Sequence, residues 1–500
     1  MTGRSKKFII LIFIIFAIAF TACSDNNSDN NNNNGDSDGL DSGGSVAENG
    51  AAADLLADGL GERDFNGKEL RVLIRGGCAV HTDEIYQESA EGDTINDAVY
   101  NRNRAVEARF NAAVTVIPVG ESPESILTDN LSRSVLAGMD EYDLAVGHMT
   151  LMGMSTANKL YLDWYQMPNI DLEKPWWIEE AASALSVAGR TFLAASHMTH
   201  SLLDYTYCIF FNKQVAQNYG IEDLYKIVND GKWTLAYLHE TVKDMYIDLD
   251  NDGRKSIGDF YGFVTNTQTA ANVFLWGFDQ AVAAHNSDGL PELVVNTPKT
   301  VNIIEKLYEL YFETQGVLGT IYGEGDVGWW AVPPEIFAED RTLFATGHFS
   351  HAITNYRGMD TPFGIIPYPK WDEAQDKYYT IVDGHGPLLG IPRTVRDIDF
   401  VTVMAEALSA EGYKQVTPAY YEVALKIKFV RDAESVMMLD KIMDGLRYDF
   451  AYIYDGWGGL GNVVQNRLTM QNKNFASHYE SHKDVVQGRI DTFIAAFLES

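Results

Sequence analysis

The chain has 500 residues, of which 46% are apolar and 12% are aromatic. This length and composition allow a large buried core divided between two lobes or domains, and they exclude collagen, coiled coil and wholesale disorder. The formal charge of −32 at pH 7 argues against nucleic acid as a partner, because phosphate backbones are bound through Lys and Arg side chains.

The N terminus has the pattern of an export signal. Arg4, Lys6 and Lys7 precede a continuous apolar run over residues 8–20. A helix needs about 20 residues to cross a bilayer, so we predict a cleaved signal peptide over residues 1–22 rather than a short membrane anchor. Residues 20–23 (Phe-Thr-Ala-Cys) resemble a bacterial lipobox, which implies that Cys23 becomes the lipidated first residue of the mature protein.

Residues 23–64 are predicted to form a disordered tether. Only Ser, Asp and Asn occur from residue 24 to residue 34, and acidic, Gly-containing sequence continues to about Asp64. Such a segment buries too little apolar surface to offset its conformational entropy. We expect the globular part to work at the cell surface or in the periplasm, attached to the membrane only through its lipid. Cys78 and Cys208 then either pair as a disulfide or remain buried thiols.

Hydrophobic periodicity predicts an α/β fold from Phe65 onwards. Strands at residues 70–74, 114–119 and 142–146 alternate with helices at 96–110 and 122–139, which indicates a doubly wound lobe with a parallel sheet. A second block follows, with extended segments at 192–195 and 205–212, helices at 235–246 and 300–311, and a strand at 363–367. The chain after Pro392 is predicted to be mainly helical, with a strand-like run at 451–454.

One acidic loop has the pattern of a calcium site. Carboxylates occupy positions 1, 3, 5 and 12 of a twelve-residue loop, Gly253 is at position 6, and position 7 offers a backbone carbonyl. Asp at position 12 has a shorter reach than the usual Glu, and the alternative is a solvated acidic turn. The predicted ligands of a structural Ca²⁺ ion are Asp248, Asp250, Asp252, Arg254 and Asp259.

Motifs for catalysis are weak in this sequence. Gly456, Gly458 and Gly461 match the dinucleotide-binding spacing G-x-G-x-x-G, but too little sequence follows to supply a second parallel strand. We interpret this segment as a flexible loop that could offer Trp457 to a ligand. Paired carboxylates of a glycosidase leave no fixed spacing in a sequence, so a hydrolase remains an alternative.

The order of several segments resembles a known family. Phe-Asn-Lys at 211–213, Gly-Lys-Trp-Thr at 231–234, Phe-Gly-Ile-Ile-Pro-Tyr-Pro-Lys at 363–370 and Gly-Pro-Leu-Leu-Gly-Ile-Pro at 386–392 follow the leader and the first lobe. This order is similar to that of the extracellular solute-binding proteins of bacterial ABC importers, in the maltose- and alginate-oligosaccharide-binding branch. The resemblance covers residues 65–500.

The resemblance implies two α/β lobes joined by a hinge, with the ligand in the cleft between them. Lobe 1 would contain residues 65–203 and about 384–430, and lobe 2 residues 204–383 and about 431–500. The chain would cross between the lobes at residues 197–210 and 380–389.

Aromatic platforms and fixed polar groups suit the apolar ring faces and the hydroxyls of a sugar. Candidate polar residues follow the first and third strands or lie in the two crossings, and the tryptophans lie in predicted loops, where the alternative for each is burial in the core. The predicted ligand-binding residues are His81, Glu84, His148, Asp204, Tyr205, Trp276, Trp329, Trp330, Asp383, His385 and Trp457.

The predicted function is a monomeric, lipid-anchored receptor without catalytic activity. It would capture a carbohydrate, such as an oligosaccharide, and deliver it to an ABC permease. A surface glycosidase or lyase and a non-transport glycan-binding module are the alternatives.

Overall fold

The computed structural model describes residues 56–76, 83–120, 122–321, 328–426, 433–454 and 459–499. The predicted signal peptide, Cys23, Cys78 and most of the predicted tether lie outside the described residues, whereas Cys208 is a buried free thiol. Within these ranges, no helix combines the length and the apolarity needed to cross a membrane. Leu60 is buried and Arg63 pairs with Asp399 at 2.6 Å, so the packed structure begins before Phe65.

The strands alternate with helices along most of the chain. The strands are β1 (Lys68–Arg75), β2 (Ala112–Val119), β3 (Leu144–His148), β4 (Tyr207–Asn212), β5 (Tyr246–Ile247), β6 (Phe260–Asn266), β7 (Ala283–His285), β8 (Pro291–Leu293), β9 (Val317–Thr320), β10 (Thr342–His348), β11 (Phe363–Ile366), β12 (Thr380–Ile381), β13 (Pro387–Gly390) and β14 (Leu446–Arg447).

The helices pack mainly against the faces of the two large sheets. They are α1 (Thr94–Phe110), α2 (Ile126–Leu136), α3 (Met149–Ser155), α4 (Glu179–Ala184), α5 (Ser201–Asp204), α6 (Lys213–Asn218), α7 (Leu224–Asn229), α8 (Leu235–Val242), α9 (Thr269–Gly277), α10 (Pro298–Tyr308), α11 (Val332–Ala338), α12 (Phe349–Thr354), α13 (Ile398–Glu411), α14 (Thr417–Lys426), α15 (Ala433–Met443), α16 (Phe450–Ile453), α17 (Val463–Thr469) and α18 (Phe475–Leu498).

Sheet 1 has the strand order β13-β3-β1-β2. Strands β1, β2 and β3 are parallel, as the sequence predicts, and Val72 lies opposite both Val116 and Leu144. The apolar residues of the central strand β1, which are Leu70, Val72, Leu73 and Ile74, are buried because helices cover both faces of such a sheet. The fourth strand, β13, comes from much later in the chain and pairs antiparallel with β3.

Sheet 2 has the order β11-β4-β10-β6-β5, and β9 also pairs with β6. Strands β9, β6 and β10 are parallel, whereas β4 lies antiparallel between β10 and β11. The second lobe therefore has a mixed sheet rather than a wholly parallel one. Its core includes the buried side chains of Trp233, Phe263 and Phe344.

Two local predictions were wrong. Residues 450–453 form the short helix α16 rather than a strand, because Asp449 caps it by accepting a hydrogen bond from the Ala451 N–H at 2.9 Å. Helix α8 ends at Val242, since Tyr246 and Ile247 turn back to pair with β6. Both runs are rich in apolar residues, and a short apolar run suits a helix or a strand equally well.

The chain passes between the sheets through two neighbouring segments. Ala194 pairs with Leu389, and Thr206 with Val382, so the outgoing and returning segments lie side by side. Trp176 supports the outgoing segment: its carbonyl accepts a hydrogen bond from the His197 N–H, and its indole N–H donates to the buried Glu406. We call residues 194–206 the outgoing crossing and residues 382–389 the returning crossing.

Candidate functional site

A cavity of about 860 Å³ lies between the two sheets. Its walls come from the ends of β3, β6 and β10, from the starts of the helices that follow these strands, and from the returning crossing. Ligand sites in α/β proteins are commonly found at such strand ends and between lobes. We call it the central cavity.

The central cavity brings together several of the residues proposed from the sequence. Those in its lining are His148, Tyr205, Trp329, Trp330, Asp383 and His385. His81 and Trp457 lie outside the described residues.

Three of the proposed residues lie elsewhere, in buried hydrogen-bond networks. Glu84 accepts a hydrogen bond from the Ser201 N–H at 2.9 Å, and Asp204 pairs with His200 at 2.9 Å. The indole N–H of Trp276 donates to Asp449 at 3.0 Å. None of Glu84, Asp204 and Trp276 belongs to the described lining of the central cavity.

Asp383 organises the returning crossing. Its Oδ1 accepts hydrogen bonds from the backbone N–H of His385 at 3.0 Å and pairs with His385 Nδ1 at 2.6 Å, while its Oδ2 accepts from the Tyr207 hydroxyl at 3.0 Å. Burial raises the pKa of this carboxyl, but the hydrogen bonds from the ring and the backbone N–H of His385 outweigh burial and hold the pKa well below its usual range. The side chain is therefore a buried carboxylate that fixes Tyr207 and His385.

Imidazole and phenol rings form a continuous row along the cavity. The His148 and His385 rings lie 4.8 Å apart, and Tyr205 lies 5.6 Å from His385 and 5.7 Å from His348. His351 extends the row, 5.2 Å from His348. Burial lowers the pKa of His348, and burial with the neighbouring His348 lowers that of His351 to about 3, so both imidazoles are neutral at pH 7.

Gly384 allows the crossing to approach His148 closely. A Cβ atom at this position would lie 2.8 Å from Cε1 of the His148 ring. The Gly384 carbonyl also accepts a hydrogen bond from the Met149 N–H at 2.8 Å, at the start of α3. Sheet 1 and the returning crossing are therefore joined directly at the cavity.

Two tryptophans form one wall of the central cavity. Trp329 and Trp330 pack edge to face with ring centroids 5.5 Å apart. Trp330 is 63% exposed, which is unusual for so large an apolar side chain. Its exposed ring offers a flat surface to a ligand.

Sequence reasoning missed Tyr207, His348 and His351. Tyr207 begins β4, His348 ends β10, and His351 lies in the helix that follows. The available signal was the position of His348 at a strand-to-helix junction, the same signal that identified His148. This signal did not identify His348, because the sequence analysis predicts no strand over residues 342–348.

The acidic loop lies between β5 and β6 at the edge of sheet 2. Carboxylate oxygens of Asp248, Asp250 and Asp252 lie within 4.8 Å of one another. The Asp252 N–H donates a hydrogen bond to Asp250, which by itself lowers the pKa of Asp250. Partial desolvation and the negative charges of Asp252 and Asp248 outweigh this hydrogen bond, so the pKa of Asp250 is raised. Gly253 has a φ of +75°, a left-handed conformation that favours glycine.

The other two proposed ligands have different contacts. Asp259 is buried outside this cluster and accepts hydrogen bonds from the backbone N–H groups of Leu249 and Ser256. The Arg254 carbonyl accepts from the Tyr246 hydroxyl at 3.2 Å. Asp259 thus closes the loop, and three carboxylates remain clustered.

No family model matches the sequence, and no curated protein matches it. Solved structures do match. A cyclo/maltodextrin-binding protein complexed with maltotetraose has a TM-score of 0.53 and 14% identity over 87% of this chain and 97% of its own. The maltose/maltodextrin-binding domain MalE from Bdellovibrio bacteriovorus, bound to maltotriose, has a TM-score of 0.52 and 12% identity over 85% of this chain and 100% of its own.

A third match is an ABC transporter solute-binding protein from Thermotoga lettingae bound with α-D-tagatose, with a TM-score of 0.50 and 14% identity over 86% of this chain and 100% of its own. These neighbours are described as binding proteins rather than enzymes. At such low identity the matches establish the fold and leave the ligand to be argued from the site. The chain has the mixed α/β fold of MalE-like periplasmic binding proteins.

Proposed function

We propose that this protein is the substrate-binding receptor of an ABC importer and captures an oligosaccharide in the central cavity. The observation that carries the proposal is the composition of that cavity, where Tyr205 and Trp330 line the same space as the hydrogen-bonded pair of Asp383 and His385. Aromatic faces suit the apolar side of a sugar ring, and oriented polar groups suit its hydroxyls. The sugars named for the neighbouring structures support the same ligand class.

In this proposal the lobes close over the sugar, and the permease recognises the closed form. A lipid on Cys23 holds the monomeric receptor beside its permease and raises the effective concentration of one for the other. The receptor returns its ligand chemically unchanged, which distinguishes it from a glycosidase or lyase.

Replacing Trp330 by Ala tests the ligand platform. We expect the affinity for the bound oligosaccharide to fall about tenfold, because a stacked aromatic contact is lost. The free energy of unfolding should change by less than about 0.5 kcal/mol, since the side chain is mostly exposed. Thermal-shift screening of oligosaccharides identifies a ligand, and calorimetric titration then compares the variants.

Tyr165→Ala is the matched control, because Tyr165 is 45% exposed and lies outside the described cavity lining. It should leave the affinity unchanged. Chromatography of the recovered sugar and X-ray scattering test the alternatives. Cleaved products would indicate an enzyme, and a radius of gyration that stays constant on saturation would indicate a rigid glycan-binding module.

We also propose that the acidic loop binds a structural Ca²⁺ ion through Asp248, Asp250 and Asp252, with the Arg254 carbonyl as a further ligand. The clustered carboxylates fit the oxygen ligands that Ca²⁺ prefers, and the ion would relieve their mutual repulsion. Asp259 supports the site by fixing the loop backbone.

Removal of Ca²⁺ with EGTA should lower the melting temperature, because an ion that binds only the folded state stabilises it. At a Ca²⁺ concentration about 100 times the dissociation constant, this stabilisation is about 2.7 kcal/mol. Differential scanning calorimetry with and without Ca²⁺ measures the effect. Asp250→Asn should reduce the difference in melting temperature between the two conditions. Asp288 is an exposed acid outside the loop, so Asp288→Asn should leave this difference unchanged. A melting temperature that is insensitive to EGTA would leave the loop as a solvated acidic turn.

A further inference from the structure

The central cavity has an unusual balance of charged side chains. Its described lining includes the carboxylates of Glu124 and Asp383 and contains no Lys or Arg. Arg75 lies outside the described lining, and its Nη1 is 3.9 Å from the Glu124 Oε1, so an acidic partner balances its charge.

Three of the four histidines of the cavity supply no unbalanced positive charge to replace the missing cations. His348 and His351 have lowered pKa values and are neutral at pH 7. His385 pairs with Asp383, so any proton on its ring is balanced by that carboxylate. His148 interacts through Nδ1 with the Thr150 hydroxyl at 3.1 Å, a partner without charge.

Helix dipoles could favour an anion here, because α3, α9 and α12 begin at the cavity. Their first N–H groups are partly used: Met149 donates to the Gly384 carbonyl at 2.8 Å, and Phe349 donates to the Thr206 carbonyl at 3.1 Å. A helix terminus favours an anion by about two- to fivefold. This gain is smaller than the penalty for desolvating a carboxylate without a cationic partner.

We propose that the central cavity selects glycans without anionic groups and rejects uronates, because it provides carboxylates and neutral rings where a uronate needs a cation. This inference rests on the proposed function, since it concerns the ligand class of the same cavity. Within the family that the sequence resembles, it favours the neutral oligosaccharides of maltose-type receptors over acidic ones such as alginate oligosaccharides. Neutral hydroxyl groups can donate to Glu124 and accept from the imidazole N–H groups of the ring row.

The test compares matched sugars that differ only at C6. Maltotetraose, cellotetraose, mannotetraose and galactotetraose are each titrated into the full chain at pH 7, and each is then replaced by its C6-oxidised uronate form. We expect at least one neutral sugar to bind, and its oxidised form to bind at least about tenfold more weakly, because of the unpaired desolvated charge.

Each outcome has a separate meaning. An oxidised sugar that binds within tenfold of its neutral form, or more tightly, overturns this inference and leaves carbohydrate binding intact. Failure of all eight sugars to bind overturns the proposed function and the inference with it. In the expected case, Glu124→Gln should reduce the ratio of the affinities for the neutral and the oxidised sugar about two- to threefold, because the charge of Arg75 is no longer balanced. Glu373→Gln removes an exposed charge outside the described cavity lining and should leave this ratio unchanged.

Discussion

Replacing Asp383 by Asn should weaken oligosaccharide binding about 10- to 100-fold, because hydrogen bonds to a charged group contribute about 1.5 to 3 kcal/mol. The carboxylate accepts from the Tyr207 hydroxyl and from two N–H groups of His385. An amide of the same shape turns one acceptor into a donor, so at least one of these partners loses its fixed position. The His385 ring and the Tyr207 ring then no longer present a rigid surface to the sugar.

Calorimetric titration of the wild type and the variant measures this loss, and Glu373→Gln controls for the removal of one negative charge. Equal affinities for Asp383→Asn and the wild type would exclude a positioning role for Asp383. The free energy of unfolding supplies a second readout. Because the folded-state pKa of Asp383 is lowered, its stabilising contribution is present above the unfolded-state pKa of about 3.9 and is lost as the pH falls towards the folded-state value. The stability difference between wild type and Asp383→Asn should therefore shrink below about pH 4.

Replacing Gly412 by Ala should destabilise the fold by about 3 kcal/mol, the upper part of the range for overpacking in a core. A Cβ atom at this position would lie 2.1 Å from the His197 carbonyl oxygen and 3.3 Å from the Met198 Cα. Both obstacles are backbone atoms of the outgoing crossing and cannot move aside as a flexible side chain would. Gly412 therefore allows the chain after α13 to pack directly on the backbone of the outgoing crossing.

Gly488→Ala makes the same chemical change with the opposite expected sign. Gly488 lies exposed within α18, and a Cβ there would have no atom within 4 Å apart from its own helix and chain neighbours. Alanine should stabilise this helix by about 1 kcal/mol. Urea unfolding of both variants measures the two effects, and a Gly412→Ala variant as stable as the wild type would contradict the close packing of Gly412 on the outgoing crossing.

The sequence predicted sheet 1 well, because its strands are short apolar runs separated by an amphipathic helix with clear caps. Strand β1 and helix α1 match their predicted ranges to within two residues. The segment 450–453 was harder, because its helix depends on capping by Asp449 and on burial among other helices. Hydrophobic periodicity reveals short apolar runs and amphipathic helices, but it does not reveal how a segment packs against distant parts of the chain.

The sequence likewise predicted the positions of some candidate site residues and not of others. His148 could be placed at the cavity from its position at the end of a predicted strand. Glu84 has the same kind of position, yet its carboxylate turns inward to the Ser201 N–H. Trp276 was assigned to a loop, but it lies in α9 and donates to the buried Asp449. The direction of a side chain depends on tertiary partners that a single sequence does not reveal.

The pairing of β13 with β3 constrains the order in which the molecule can assemble. It joins Ala145 to Gly390, and the whole of sheet 2 is encoded between these two residues. During synthesis from the N terminus, sheet 1 exists without its edge strand until most of the chain has emerged. Contacts of such long sequence separation slow folding, so the chain remains incompletely folded for longer than a protein with consecutive domains. The export that we predict from the N-terminal sequence would benefit from this delay, because a translocation channel accepts only a polypeptide that has not yet folded.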